Sequence, residues 1–163
     1  MRLPIPRPCE ALSLPLKWMP AGMHARGLAL VVNRLFADAL DAGELDFLEG
    51  KVLHVEVEDV GLHYRLVMRG GRFAAAAAEA PVDVGFRGEL QTFLQLAARR
   101  EDADTLFFQR RLRIEGDTAT GLHLKNFPDA REGALLPPAL QYSLERMTDL
   151  YGRYCGREDV AAV

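Results

Sequence analysis

The chain of 163 residues is poor in the side chains that do covalent chemistry: it has two cysteines and one tryptophan, and its only serines are Ser13 and Ser143. Cys9 and Cys155 lie near opposite ends, which excludes a disulfide framework or a metal-ligand spacing and predicts two reduced thiols in a cytosolic protein. There is no GxSxG elbow, no GxxxxGK[ST] loop and no GxGxxG turn. Neither serine falls in a strand-to-helix turn, so acyl and phosphoryl transfer have no nucleophile. Long apolar runs are also missing. The longest uncharged stretch, Gly133 to Leu144, contains Pro137 and Pro138, far short of the about 20 apolar residues that span a bilayer. At the N-terminus Pro4, Pro6, Arg7, Pro8, Pro15 and Lys17 interrupt any apolar h-region, so neither export nor lipid attachment at Cys9 is expected. A net charge of −3 lacks the basic surplus that general nucleic-acid binding requires.

What is present fits one domain with a sizeable core: 49% of residues are hydrophobic and 26% are charged. The charge is uneven. Residues 1–36 hold five basic groups (Arg2, Arg7, Lys17, Arg26, Arg34) against Glu10, whereas residues 38–59 hold eight acids and only Lys51. A basic, Leu-rich segment with Trp18 suits an anionic membrane surface, and Lys17, Trp18 and Arg26 are its candidate docking residues. An arm packed on its own domain explains the same residues. The expected division is a Pro-rich basic arm over 1–22, one domain over 23–156 and a short tail over 157–163.

Periodicity outlines the domain. From His24 to Asp41, Leu28, Val31, Val32, Leu35, Phe36, Ala39 and Leu40 recur at helical spacing, and Gly43 closes the helix. Lys51 to Glu58 alternates, with Leu53, Val55 and Val57 on one face and His54, Glu56 and Glu58 on the other. After Asp59-Val60-Gly61, Leu62, Tyr64, Leu66 and Met68 alternate, and Gly70-Gly71 predicts a tight hairpin. Ala74 to Ala78 reads as a strand despite alanine's helical propensity, because Val82, Val84 and Phe86 alternate beyond it. Glu89 to Arg100 is helical with Leu90, Phe93, Leu94 and Ala97 on one face, and Glu101 to Thr105 is a polar connection to Phe107 and Phe108. Arg110 to Glu115 alternates, Asp117 caps a short helix to about Asn126, and Pro128 breaks it. A last helix from Pro137-Pro138 carries Leu140, Leu144, Met147, Tyr151 and Tyr154 on one stripe. Strands flanked by helices define an α+β class.

Few constellations suggest chemistry. His54 and His63 fall on adjacent strands, facing solvent, with Glu56 and Glu58 nearby; their spacing matches no HxH, HExxH or 2-His-1-carboxylate pattern, and no metal is expected. Arg111 and Arg113 alternate with Leu112 and Ile114 without interleaved aromatics, which suits an anionic headgroup or a partner better than base stacking.

The run from Asp104 to Thr118 (DTLFFQRRLRIEGDT), with Gly121-Leu122 and Lys125-Asn126, resembles the strand-and-turn core of sterol carrier protein type 2-like domains. Asp41 to Gly50 (DAGELDFLEG) is similar to the bacterial branch of ubiquinone biosynthesis accessory factors, and the likeness covers about residues 24–155. The resemblance implies an antiparallel five-stranded sheet covered by helices around a hydrophobic lipid tunnel. It also implies a non-catalytic protein that presents prenylated ubiquinone intermediates, or holds phospholipid, for hydroxylating partners. Those would be the iron–sulfur proteins UbiU and UbiV of the oxygen-independent route, the clusters belonging to the partners and no cofactor to this chain. The implied location is the cytoplasm, peripheral to the inner membrane.

Physically, an isoprenoid tail in water costs about 0.8 kcal/mol per exposed methylene, so soluble chemistry on its head group needs a protein cover. Candidate lining residues are Leu35, Phe36, Leu40, Phe93, Leu94, Phe107, Phe108, Leu144 and Met147. Two other readings stay open: a metal-dependent enzyme using His54 and His63, and a ligand-free adaptor whose acidic 38–59 segment docks on a basic partner. A homodimer is also left open.

Overall fold

The computed structural model describes residues 18–126 and 138–155. Helix α1 (Ala21–Leu35) opens the described domain and is separated by Phe36 from α2 (Ala37–Asp41). The predicted single helix is thus broken at Phe36, whose φ of −106° and ψ of 19° swing the next turn so that Ala39 and Leu40 enter the core. Gly43 closes the pair as expected, at φ 72°, with its N–H and that of Glu44 returning to the carbonyls of Leu40 and Ala39. A 3-10 turn (Asp46–Leu48) then leads into the sheet.

The sheet has five strands in the order β3-β2-β1-β4-β5. Strands β1 (Val52–Val57), β2 (Leu62–Arg69) and β3 (Arg72–Ala75) form an antiparallel meander. Gly70 and Gly71, at φ 59° and 70°, make the β2–β3 hairpin with the two left-handed residues that a type I′ turn needs. The chain then crosses back, so β4 (Val84–Gly88) lies parallel to β1, and β5 (Leu112–Gly116) pairs antiparallel with β4 at the edge. Asp83 sets the parallel register: its carboxylate accepts from Val52 N at 2.7 Å and its own N–H donates to Val52 O. The alanine run is strand only to Ala75. Ala76 N still donates to Arg65 O, and the chain then turns, with Ala80 N returning to Ala77 O.

Alternation holds across the register. Leu53, Leu66, Val84 and Ala75 form one row, and Val55, Tyr64, Phe86 and Ile114 the next, all on one face. Helix α1 lays Ala25, Ala29 and Val32 on that face beside β2 and β3. Asn33 ties it down by exchanging two 2.8 Å bonds with the backbone of Phe73, which pairs part of the edge strand.

Helix α3 (Leu90–Ala97) follows β4. Its fully buried side chain is Thr92; the predicted Leu90, Phe93, Leu94 and Ala97 are half-buried. Helix α4 (Ala103–Phe108) replaces the predicted polar connection. Asp102 starts it, accepting from Thr105 N at 2.7 Å and Thr105 Oγ1 at 2.6 Å, and Ala103 and Leu106 are buried. Helix α5 (Thr118–Asn126) packs on β4 and β5, with Gly121 lying where any Cβ would overlap Ile114. Helix α6 (Pro138–Cys155) packs against α3. It turns Thr148 and Tyr151 inward, while Met147 and Tyr154 of the predicted stripe face outward. Tyr151 is buried as the stripe predicts, donating to Asp59 at 2.6 Å, and Leu144 is half-buried; the side chain of Leu140 lies outside the described residues, and Thr148 takes a buried position by hiding its hydroxyl on Leu144 O. Cys155 is disulfide-bonded, contrary to the expected reduced thiol. Pro128 and Pro137 lie outside the described residues.

Asp117 caps α5 as predicted, accepting from Thr120 N and Oγ1, and also binds Lys51 at 2.8 Å. The Lys51 and Thr120 hydrogen bonds hold its carboxyl far below the usual carboxylate range. A depressed folded-state pKa contributes stability above the unfolded value and loses it as pH falls. Asp117→Ala is therefore expected to lower the melting midpoint by a few degrees at pH 7, and the gap from wild type to narrow below about pH 4 in a pH series of thermal melts. A gap independent of pH would mean that the charge contributes nothing.

Candidate functional site

The edge of the sheet beside α4 forms an open groove of about 810 Å³, lined by Phe107, Phe108, Arg110, Leu112, Arg113, Ile114 and Glu115. Local chain geometry makes it. At the end of α4 the Arg110 and Arg111 N–H groups return to the carbonyls of Phe107 and Leu106, with Arg110 left-handed at φ 60°. This helix ending normally uses glycine; here it turns the chain sharply enough that β5 runs back past the helix terminus. Phe107 and Phe108 stand edge to face, 5.9 Å between ring centres, and Phe108 is 80% exposed. An exposed phenyl ring beside Leu112 and Ile114 offers apolar contact, and Arg110 and Arg113 place cations beside it. Such a groove can hold an apolar chain with a polar head at its edge.

The structure gathers only Phe107 and Phe108 of the nine candidate lining residues into this groove. Phe36 and Leu40 belong to the main core beneath α1 and α2, and Phe93 joins Leu106 and Leu112 in a second cluster. Leu94 and Leu144 are half-buried on α3 and α6, and Met147 is 57% exposed. The Leu35 side chain lies outside the described residues. Arg110, Leu112, Ile114 and Glu115 carry no lining signal in the sequence, because alternation marks a strand without saying that it is an edge.

On α1, Met23, Leu30 and Val31 are exposed, and Arg26 and Arg34 stand on the same side of the helix. Trp18, just ahead of it, is 90% exposed. Lys17 lies outside the described residues. An apolar surface flanked by arginines is the composition of an interfacial helix.

The sheet face opposite the helices is charged. Arg87 pairs with Glu56 at 2.9 Å, Glu115 at 3.5 Å and Glu58 at 3.9 Å, and Arg113 reaches Glu58 at 3.4 Å. His54 and His63 stack 5.6 Å apart and nearly parallel. His54 is half-buried, against the expectation that both rings face solvent, and its Nε2 is buried without a hydrogen-bond partner. Burial, then the neighbouring Arg65, pushes its pKa down.

The architecture is therefore an α+β layer with an apolar sheet face under helices and a groove at the sheet edge. Residues 32–129 match the SCP-2 sterol transfer family, and the chain belongs to that family. It is 42% identical over 138 residues to the ubiquinone biosynthesis accessory factor UbiT of Escherichia coli strain K12, covering 85% of this chain and 79% of that protein; the O157:H7 protein matches equally. A solved structure described as UbiJ-SCP2 ubiquinone synthesis protein superposes with a TM-score of 0.55 at 20% identity, covering 68% of this chain and 96% of that one. That likeness is one of fold. Among the described residues no helix is long and apolar enough to cross a membrane.

Proposed function

We propose that this chain is a non-catalytic accessory factor of ubiquinone biosynthesis that holds a lipid, either a prenylated quinone intermediate or a phospholipid, for hydroxylating partners on the oxygen-independent route. The observation that carries the reading is the groove between α4 and β5, where an exposed phenylalanine stands beside Phe107 and Ile114 with arginines at the rim. Leaving Phe108 in water forgoes roughly 1.5–3 kcal/mol of burial, which a bound tail would recover. The similarity to UbiT supports the pathway. We further propose that the hydroxylating partners are iron–sulfur proteins of the UbiU and UbiV kind, and that the chain works in the cytoplasm at the membrane surface.

The direct test is genetic. In an Escherichia coli strain lacking UbiT, expression of the full chain should restore ubiquinone in anaerobic cultures. Unchanged quinone levels with the protein present would reject the assignment. The docking surface is part of the same proposal: Trp18, Arg26, Lys17 and the Met23–Leu30–Val31 side of α1 rest on anionic lipid. Co-sedimentation with anionic vesicles should weaken severalfold in Leu30→Asp and with added salt; equal binding by both proteins would place docking elsewhere.

A further inference from the structure

We infer that His54, Glu56 and His63 form a binding site for one divalent transition-metal ion of the zinc class, on the sheet face opposite the helices. The hairpin builds it. His54 and Glu56 are two residues apart on β1 and so share a face, and antiparallel pairing sets His63 of β2 directly opposite Glu56. One ligand atom from each residue lies within 4.8 Å of the other two. Zinc bonds of about 2.0–2.2 Å set tetrahedral ligands about 3.4 Å apart, a contraction within reach of small side-chain rotations.

Two further features point to an ion. The buried Nε2 of His54 has no hydrogen-bond partner, a state that costs free energy unless something occupies the position. Glu56 is shared with Arg87 at 2.9 Å, and an ion that draws Glu56 away leaves Arg87 with Glu115 and Glu58 as partners. Two imidazoles with one carboxylate suit zinc, cobalt, nickel or copper, and disfavour magnesium and calcium, which prefer all-oxygen shells. With three protein ligands a fourth position stays open to water. Arg65 and Arg87 oppose the ion's charge, while Glu58 and Glu115 offset them, so the affinity expected is micromolar. The site lies on the other side of the sheet from the apolar core and stands independently of the lipid reading.

The test uses the full chain, stripped with chelator and titrated with cobalt(II) chloride by visible absorption, then with zinc chloride by calorimetry. One ion per chain is expected, with cobalt bands of low-coordinate intensity that zinc displaces. His63→Gln, at an exposed position that leaves the fold intact by circular dichroism, should weaken binding at least about tenfold. His54→Gln should weaken it as much, and His24→Gln should leave it unchanged. No saturable binding up to millimolar metal would overturn the assignment, as would equal binding by His63→Gln and wild type. If His54→Gln fails to fold, the His63→Gln result alone decides.

Discussion

Gly116→Ala is expected to destabilise the protein by about 2–6 kcal/mol, combining roughly 1–3 kcal/mol for a non-glycine residue held left-handed with a similar cost for steric overlap. Gly116 ends β5 at φ 83°, and a Cβ there would overlap the carbonyl oxygen of Asp83. That carbonyl cannot retreat cheaply, because it accepts from Asp117 N at 2.8 Å while Asp83 also sets the β1–β4 register. The expected fall in melting midpoint is about 4–24 °C. Gly27 on α1 supplies the contrast: it has no neighbour that a Cβ would meet within 4 Å and is exposed. Gly27→Ala should raise stability by up to about 1 kcal/mol through helix propensity. Thermal and urea melts of the two variants should therefore move in opposite directions, and a fall of similar size in both would reject the local account.

Phe108→Asp should cut lipid loading at least about tenfold, the consequence of replacing roughly 1.5–3 kcal/mol of apolar contact with a carboxylate that must stay solvated. Because Phe108 is 80% exposed, the melting midpoint should stay near wild type. That combination separates a binding residue from a core residue. Phe107→Asp should lose loading as well but also stability, since its ring is half-buried. Lipid recovered by extraction, expressed per mole of protein, measures both. Full loading of Phe108→Asp would remove the groove from the account.

The strands were legible because a two-residue period and glycine turns act locally: Gly70-Gly71 and the Leu53, Val55, Val57 alternation are where reading expected them. The order of β4 was not legible, since its parallel pairing with β1 depends on Asp83 meeting Val52 across 31 residues. Helix α4 was hidden by its charges. Asp102 and Asp104 read as a polar link, whereas Asp102 caps the helix and Ala103 and Leu106 bury its inner face. In α6 the apolar stripe was right at Tyr151 and wrong at Met147 and Tyr154, because Thr148 satisfies its hydroxyl on Leu144 O and takes a buried position, so polarity did not mark the surface. The groove needed one non-local fact, that β5 is an edge, and one local fact that an arginine conceals, that Arg110 turns left-handed where glycine is usual. Phe107 and Phe108 could be named from sequence; their neighbours in the groove could not.

The central claim is that the folded chain carries a lipid. Native mass spectrometry of the full chain, purified without detergent from a bacterial host and followed by lipid extraction, tests it most directly. The account predicts an adduct of one lipid per chain, identified on extraction as a prenylated quinone precursor or a phospholipid, and lost in Phe108→Asp. A wild-type protein that is folded and flies only at the mass of its bare polypeptide, with no lipid in the extract, would contradict it.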